Sequence, residues 1–287
     1  MSEKEQANAG PSETALITAS TRALAYYDER EEIRCGDKYA ELFLTEDRKA
    51  AIKNPHTREW IRKSAMPPGL YEYIIARTAF IDDIFRNMLL KNISQIVILG
   101  AGYDSRALLF AENNNSTIIY ELDAKPTQER KIKIIKENNF LIPDSVRYVP
   151  IDFESESLEK TLVEAGYNKN LKTLFIWEGV TFYLSEDAVN NVMASIRDNS
   201  PAESILCFDF QTYLEESKDL VKTEIPAEQI KFGIREGGIT EFLNNRGFKI
   251  IQHSTSADME KRYLTLKDGS IAGSISPKMN LVSCYKV

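Results

Sequence analysis

The amino-acid sequence predicts an α/β protein: a doubly wound, mostly parallel sheet of seven strands behind an N-terminal helical cap. Two observations carry this. From residue 94 onward, short apolar runs alternate with helical stretches, and the first run, QIVIL, is continuously apolar, as in a strand buried on both faces. Ahead of it, roughly ninety residues have helical periodicity and no strand pattern.

In the cap, ETALITASTRALAYYDEREEI sets most of Ala15, Ile17, Ala19, Ala23, Leu24 and Tyr27 on one helix face. Pro67, Pro68 and Gly69 then break the chain before a long helix, LYEYIIARTAFIDDIFRNMLL. The strands follow as QIVIL, STIIYELD, SVRYVPID, KTLFIW and SILCFDF, separated by the helical DSRALLFAEN, PTQERKIKIIKENN, ESLEKTLVEAG and SEDAVNNVMASIRD. GGITEFLNNRGFKIIQHST reads as a helix, a turn and a sixth strand, and MNLVSCYKV as the seventh. The polar residues 1–13 are expected to be disordered. Residues 14–287 are expected to form one domain, with the cap at 14–92, the core at 93–287 and an irregular stretch at 211–235 as a substrate lid.

Composition narrows the function. Lys and Arg total 36 against 43 Asp and Glu, a net charge of -7, which argues against a general nucleic-acid binder. The apolar runs are too short to span a bilayer, and the N-terminus lacks a signal core, so a cytoplasmic protein is expected. Three scattered cysteines suit a reducing compartment, and two histidines, His56 and His253, suggest no metal cluster.

In an open parallel sheet, ligands bind past the carboxyl ends of the strands, where strand order reverses. After the first strand stands GAGYDSR, where Gly100, Ala101 and Gly102 form a tight turn. A dinucleotide fingerprint would want a third glycine at Ser105; without it nothing requires a diphosphate, and a purely structural turn stays open. After the second strand, Asp123 has the spacing to accept both hydroxyls of a ribose, or it caps the next helix. After the third, Asp152 could accept from an adenine amino group with Phe153 packed on the ring, or open a helix. After the fourth, Glu178 would face the site rather than bulk water and need a polar ligand or partner. Tyr183, five residues on, stands at the cleft or in the core.

Together ARTAFIDD (76–83), VILGAGYDSRAL (97–108), IYELD (119–123), PIDF (150–153) and WEGVTFYLSEDAV (177–189), in that order, resemble the leucine carboxyl methyltransferase superfamily. This superfamily includes protein-phosphatase C-terminal methyltransferases and bacterial polyketide carboxyl O-methyltransferases. The resemblance implies a Rossmann-like methyltransferase sheet and S-adenosylmethionine as cofactor, which has a methionine moiety where a dinucleotide has its pyrophosphate. By motif, Arg77 would pair with the cofactor's carboxylate, although alone it could be a surface arginine. Gly100, Ala101 and Gly102 would line the methionine end, Asp123 would hold the ribose, Asp152 and Phe153 the adenine, and Glu178 would lie near the amino group. Arg22 resembles the basic residue of the N-terminal motif. The family's usual DPYA stands here as DKYA (37–40).

The function expected is methyl transfer to a carboxylate, or a hydroxyl, of a small-molecule acid. A carboxylate is already ionised at neutral pH and needs no general base; a hydroxyl would need one, with Tyr183 or a carboxylate as candidates. Tyr26, Tyr27, Tyr71, Tyr73 and Phe232 are candidates to line an aromatic acceptor's pocket. The alternatives are a protein C-terminal carboxyl methyltransferase, a nicotinamide-dependent oxidoreductase, or a cofactor-binding protein without turnover.

Overall fold

The computed structural model describes residues 10–214 and 229–287. Among them, every regular element before residue 95 is helical. Helix α1 (Glu13–Tyr26) begins at the last residue of the stretch expected to be disordered, because Ser12 accepts the Ala15 amide at 3.0 Å and caps it. Residues 1–9 lie outside the described residues. Two short helices follow, α2 (Glu46–Lys53) and α3 (Pro55–Trp60), then a π-helical turn at Ile61–Ala65. The long α4 (Leu70–Leu90) closes the cap, and Asn92, at φ 53°, turns the chain out of it.

The sheet runs β3 (Val146–Pro150), β2 (Ile118–Asp123), β1 (Gln95–Leu99), β4 (Thr173–Trp177), β5 (Ile205–Tyr213), β8 (Met279–Lys286), β7 (Phe248–Ser254). The first five of these are parallel; β8 runs antiparallel between β5 and β7. A two-residue strand, β6 (Ile234–Arg235), adds to the end of β5, beyond the seven expected. After β1 the chain builds outward through β2 and β3, then returns to place β4 on the other side of β1. Strand order therefore reverses between β1 and β4.

Period-two alternation divides the core. Ile96, Ile98, Ile119, Leu174, Ile176 and Cys207 face the layer that holds α1 and α4. Val97, Leu99, Leu122, Phe175, Trp177 and Phe208 face the opposite layer. That layer includes α7 (Leu158–Glu164), α8 (Glu186–Asp198) and α9 (Ile239–Asn244). Glu178 and Asp209 follow the first alternation, so both point toward the cap. The helical reading of 104–113 shortens to one turn, α5 (Arg106–Leu109), and a 3-10 turn. One helix is absent from the sequence reading: α10 (Ser256–Tyr263), opened by a capping box between Thr255 and Asp258. The proposed lid at 211–235 lies largely outside the described residues. Its end is tied down where the Lys231 amide donates to the Phe182 carbonyl at 2.6 Å.

Beneath the sheet's end, Glu121 of β2 meets Lys131 of α6 (Lys125–Glu137) at 2.5 Å, with both side chains 2% exposed. Burial pushes the Glu121 carboxyl up from 4.5 to about 7 against the pull of Lys131. A folded-state value above the unfolded one favours folding below pH 4.5, and that advantage is lost as pH rises through 7. The stability of Glu121→Gln relative to the parent should therefore improve between pH 5 and pH 8, by up to about 3 kcal/mol. Thermal melts at the two pH values check this, and a pH-independent difference would contradict it.

Candidate active site

The reversal between β1 and β4 brings the ends of β1, β2 and β4 together beneath α1 and α4. Gly100 has φ +71°, and a Cβ there would lie 2.2 Å from Val180 Cγ2, so only glycine fits. The turn is fastened to β2 twice: the Ala101 amide donates to the Leu122 carbonyl at 2.8 Å, and the Gly102 amide to Asp123 Oδ2 at 2.5 Å. The other Asp123 oxygen accepts the Ala124 amide at 2.7 Å. Asp123 is thus no helix cap; Ala124 holds that position and makes no side-chain bond. Asp152 is exposed and organises its own turn, accepting from the Glu154 amide and the Ser155 hydroxyl. The helix that follows is capped by Ser157 instead. Phe153, beside it, packs half-buried against the second core layer.

Facing the glycine turn is a chain of buried charges. Arg77, 5% exposed on α4, donates from Nε to Glu178 Oε1 at 2.9 Å and from Nη1 to Asp209 Oδ2 at 2.8 Å. Arg106 of α5 donates to Asp82 at 2.6 Å, to Asp104 at 2.5 Å and to Glu178 Oε2 at 2.8 Å. Arg22 of α1 donates to Asp37 at 2.8 Å and to the Tyr103 carbonyl at 2.7 Å. In the DKYA loop, Asp37 also accepts the amides of Tyr39 and Ala40. Tyr73 and the Gly179 amide complete the shell of Asp209, at 2.6 and 2.7 Å. Gly179 is itself required: a Cβ there would press on Arg77 Nη1 at 3.0 Å.

These contacts set the ionisation of the acids. Burial acts to raise Glu178, but Arg106, Arg77 and Arg22 outweigh it and hold the carboxyl down at about 2. Burial wins at Asp82, raised to about 6 despite Arg106, and at Asp209, also raised despite Arg77. Around the turn, three guanidinium groups (Arg22, Arg77, Arg106) meet five carboxyl groups (Asp37, Asp82, Asp104, Glu178, Asp209), an excess of acid.

The remaining candidates scatter. Tyr183 sits half-buried on the 3-10 turn Thr181–Tyr183, edge-on to Phe182. Tyr27 and Tyr71 line a cavity of about 340 Å³ in the cap, together with Asp28, Arg30, His56 and Arg58. Tyr26 stands edge-on to Tyr27 but does not line this cavity, and Tyr73 is committed to Asp209. Phe232 lies in the opposite core layer against Phe242, away from the cap. Among the described residues, no cluster of metal-ligating side chains occurs and no helix is long and apolar enough to cross a membrane.

Sequence reading missed Asp82, Asp104, Arg106 and Asp209. The signal for Asp209 was present: an aspartate inside the apolar SILCFDF strand must find a partner. Arg106, placed at a helix start, gave no sign of its three acidic partners, two of which come from distant segments.

The model of the family described as leucine carboxyl methyltransferase matches residues 15–197. A Bacillus subtilis protein described as a "Putative S-adenosyl-L-methionine-dependent methyltransferase", YktD, is 31% identical over 152 residues, covering 53% of this chain and 48% of that protein. A relative from Mycobacterium ulcerans, also described as S-adenosyl-L-methionine-dependent, is 27% identical over 199 residues, covering 67% of this chain and 63% of its own. The matched region is thus about half to under two thirds of these relatives. Among solved structures, the mitomycin 7-O-methyltransferase MmcR superposes over 80% of this chain and 60% of its own, at 10% identity with a TM-score of 0.43.

Proposed function

Because the chain belongs to the leucine carboxyl methyltransferase family, we propose that it transfers a methyl group from S-adenosylmethionine to a carboxylate of a small-molecule acid. The observation that carries this reading is the convergence of the Gly100–Gly102 turn, Asp123 and Glu178 at the reversal of strand order. The donor set suits the cofactor: an excess of buried carboxyl groups favours a ligand of net positive charge, and Glu178, held ionised, suits its ammonium group. Arg77 offers a guanidinium fork to its carboxylate, and Asp123 a carboxylate to its ribose hydroxyls. Asp152 and Phe153 serve the adenine, and Arg22 braces the turn through the Tyr103 carbonyl.

Bound there, the cofactor supplies a methyl group already activated on a sulfonium. The chain then has to align the acceptor and exclude water, an effect worth roughly 7 to 11 kcal/mol for well-oriented reactants. A carboxylate acceptor asks for no base, which fits the placement of both histidines. His253 bonds to Asn280 on the antiparallel edge of the sheet, and His56 lies on the cap cavity. For a hydroxyl acceptor, Tyr183 is the candidate base.

Parallel calorimetric titrations with S-adenosylmethionine and NADH test the reading. Binding of the first alone is expected, and binding of NADH alone would favour the oxidoreductase alternative. Asp123→Ala should weaken S-adenosylmethionine about tenfold to a hundredfold, the range for lost hydrogen bonds to a charged group. An unchanged affinity would remove Asp123 from the site. A screen of carboxylic acids and C-terminal peptides with labelled methyl donor then identifies the acceptor.

A further inference from the structure

Glu178 is gripped by a different arginine on each oxygen, Oε1 by Arg77 and Oε2 by Arg106. The two arginines differ in how they are held. Arg106 is anchored at several points that involve no ligand: Nε to Asp82 on α4, Nη1 to Asp104, and its own amide to Asp104 Oδ1 at 2.7 Å. Arg77 is held by Asp209 on one side and by Glu178 on the other. When Arg77 serves an incoming carboxylate, Glu178 Oε1 loses its partner and becomes the acceptor for an incoming ammonium. A buried glutamate with one free oxygen and a flexible side chain needs a fixed point on the other oxygen to keep its aim.

We propose that Arg106 is the positioning residue for Glu178, fixing one carboxylate oxygen so that the other presents to the amino group of the methyl donor. This rests on the methyl-donor reading above. Arg106 acts through Glu178 and touches no ligand itself. The exchange leaves charge balanced: a guanidinium leaves Oε1 and an ammonium replaces it, while Oε2 keeps its partner throughout. The charged groups facing Glu178 are Arg77 and Asp82 from α4, Arg22 from α1, Asp104 and Arg106 from the turn after β1, and Asp209 from β5.

The test is titration of the parent, Arg106→Gln and Arg106→Lys with S-adenosylhomocysteine, which carries the amino-acid head, and with 5′-methylthioadenosine, which lacks it. Arg106→Gln is expected to weaken S-adenosylhomocysteine about tenfold or more while 5′-methylthioadenosine stays within about twofold. Among the arginines, Arg106 exerts the largest pull that keeps Glu178 charged, so the loss relative to the parent should deepen from pH 8 to pH 6, beyond any change that the titration of Asp82 near 6 gives the parent itself. Arg106→Lys, which keeps a cation, should recover part of the affinity, and it carries the comparison if the glutamine variant does not fold. Equal weakening of both ligands, or of neither, overturns the proposal. A parent that binds neither ligand overturns the methyl-donor reading, and this inference with it.

Discussion

Arg77→Met should unfold at a temperature roughly 10 °C below the parent and should no longer bind S-adenosylmethionine. Removing the guanidinium leaves Glu178 and Asp209 facing each other without a cation between them, and Asp209 is fully buried. Breaking a buried ion pair from one side costs about 3 to 5 kcal/mol, far more than the pair itself contributes. For a chain of this size, each kcal/mol corresponds to about 2 to 4 °C. The pH dependence has a definite sign. Asp209 is already raised by burial and rises further without Arg77, and Glu178 loses one of the arginines that hold it at about 2. Both changes penalise the ionised folded state, so the deficit should be larger at pH 8 than at pH 5. Calorimetric melts measure both, and a variant that melts with the parent at pH 8 would show that the network is not as dry as its geometry requires.

Gly100→Ala should cost about 3 kcal/mol and lower cofactor affinity along with stability. Two separate penalties combine: φ of +71° is unfavourable for a side chain, and the new Cβ would lie 2.2 Å from Val180 Cγ2. They can be separated by a second change. Val180→Ala in the same chain should restore the steric part, about half, and leave the backbone part. Denaturant unfolding of the four-member cycle reads this as a coupling of about 1 kcal/mol or more. Strict additivity would mean that Val180 does not pack on the turn.

Much of this arrangement could be read along the chain because it rests on local rules. QIVIL had to be a doubly buried strand, and the glycines after it had to turn. The alternation of strands and helices gave the parallel sheet, and the ordered motifs gave the family. Where reading failed, local signals were short or ambiguous. The one-turn helix at Arg106–Leu109 was overestimated because an apolar ALLF run fits a longer helix as well. Ser256–Tyr263 was overlooked although Thr255 and Asp258 have the spacing of a capping box.

For the candidate site, the sequence by itself determined which residue types stand at or just past the ends of the first four strands: Gly100 and Gly102, Asp123, Asp152, Glu178. Period and spacing fix these positions, since a residue after a parallel strand must lie at the sheet's carboxyl edge. Only the tertiary structure decided how their charges are balanced. Arg77 comes from 101 residues before Glu178, and Arg106 from 72 residues before it. Asp209 reaches Arg77 only because β5 lies beside β4. Pairing of buried charges is settled by which segments the fold brings within about 3 Å, a distance that no one-dimensional pattern encodes. GAGYDSR is therefore legible in the sequence as a tight glycine turn, while the contacts of its last residue, Arg106, became visible only once Glu178 and Asp82 were seen beside it.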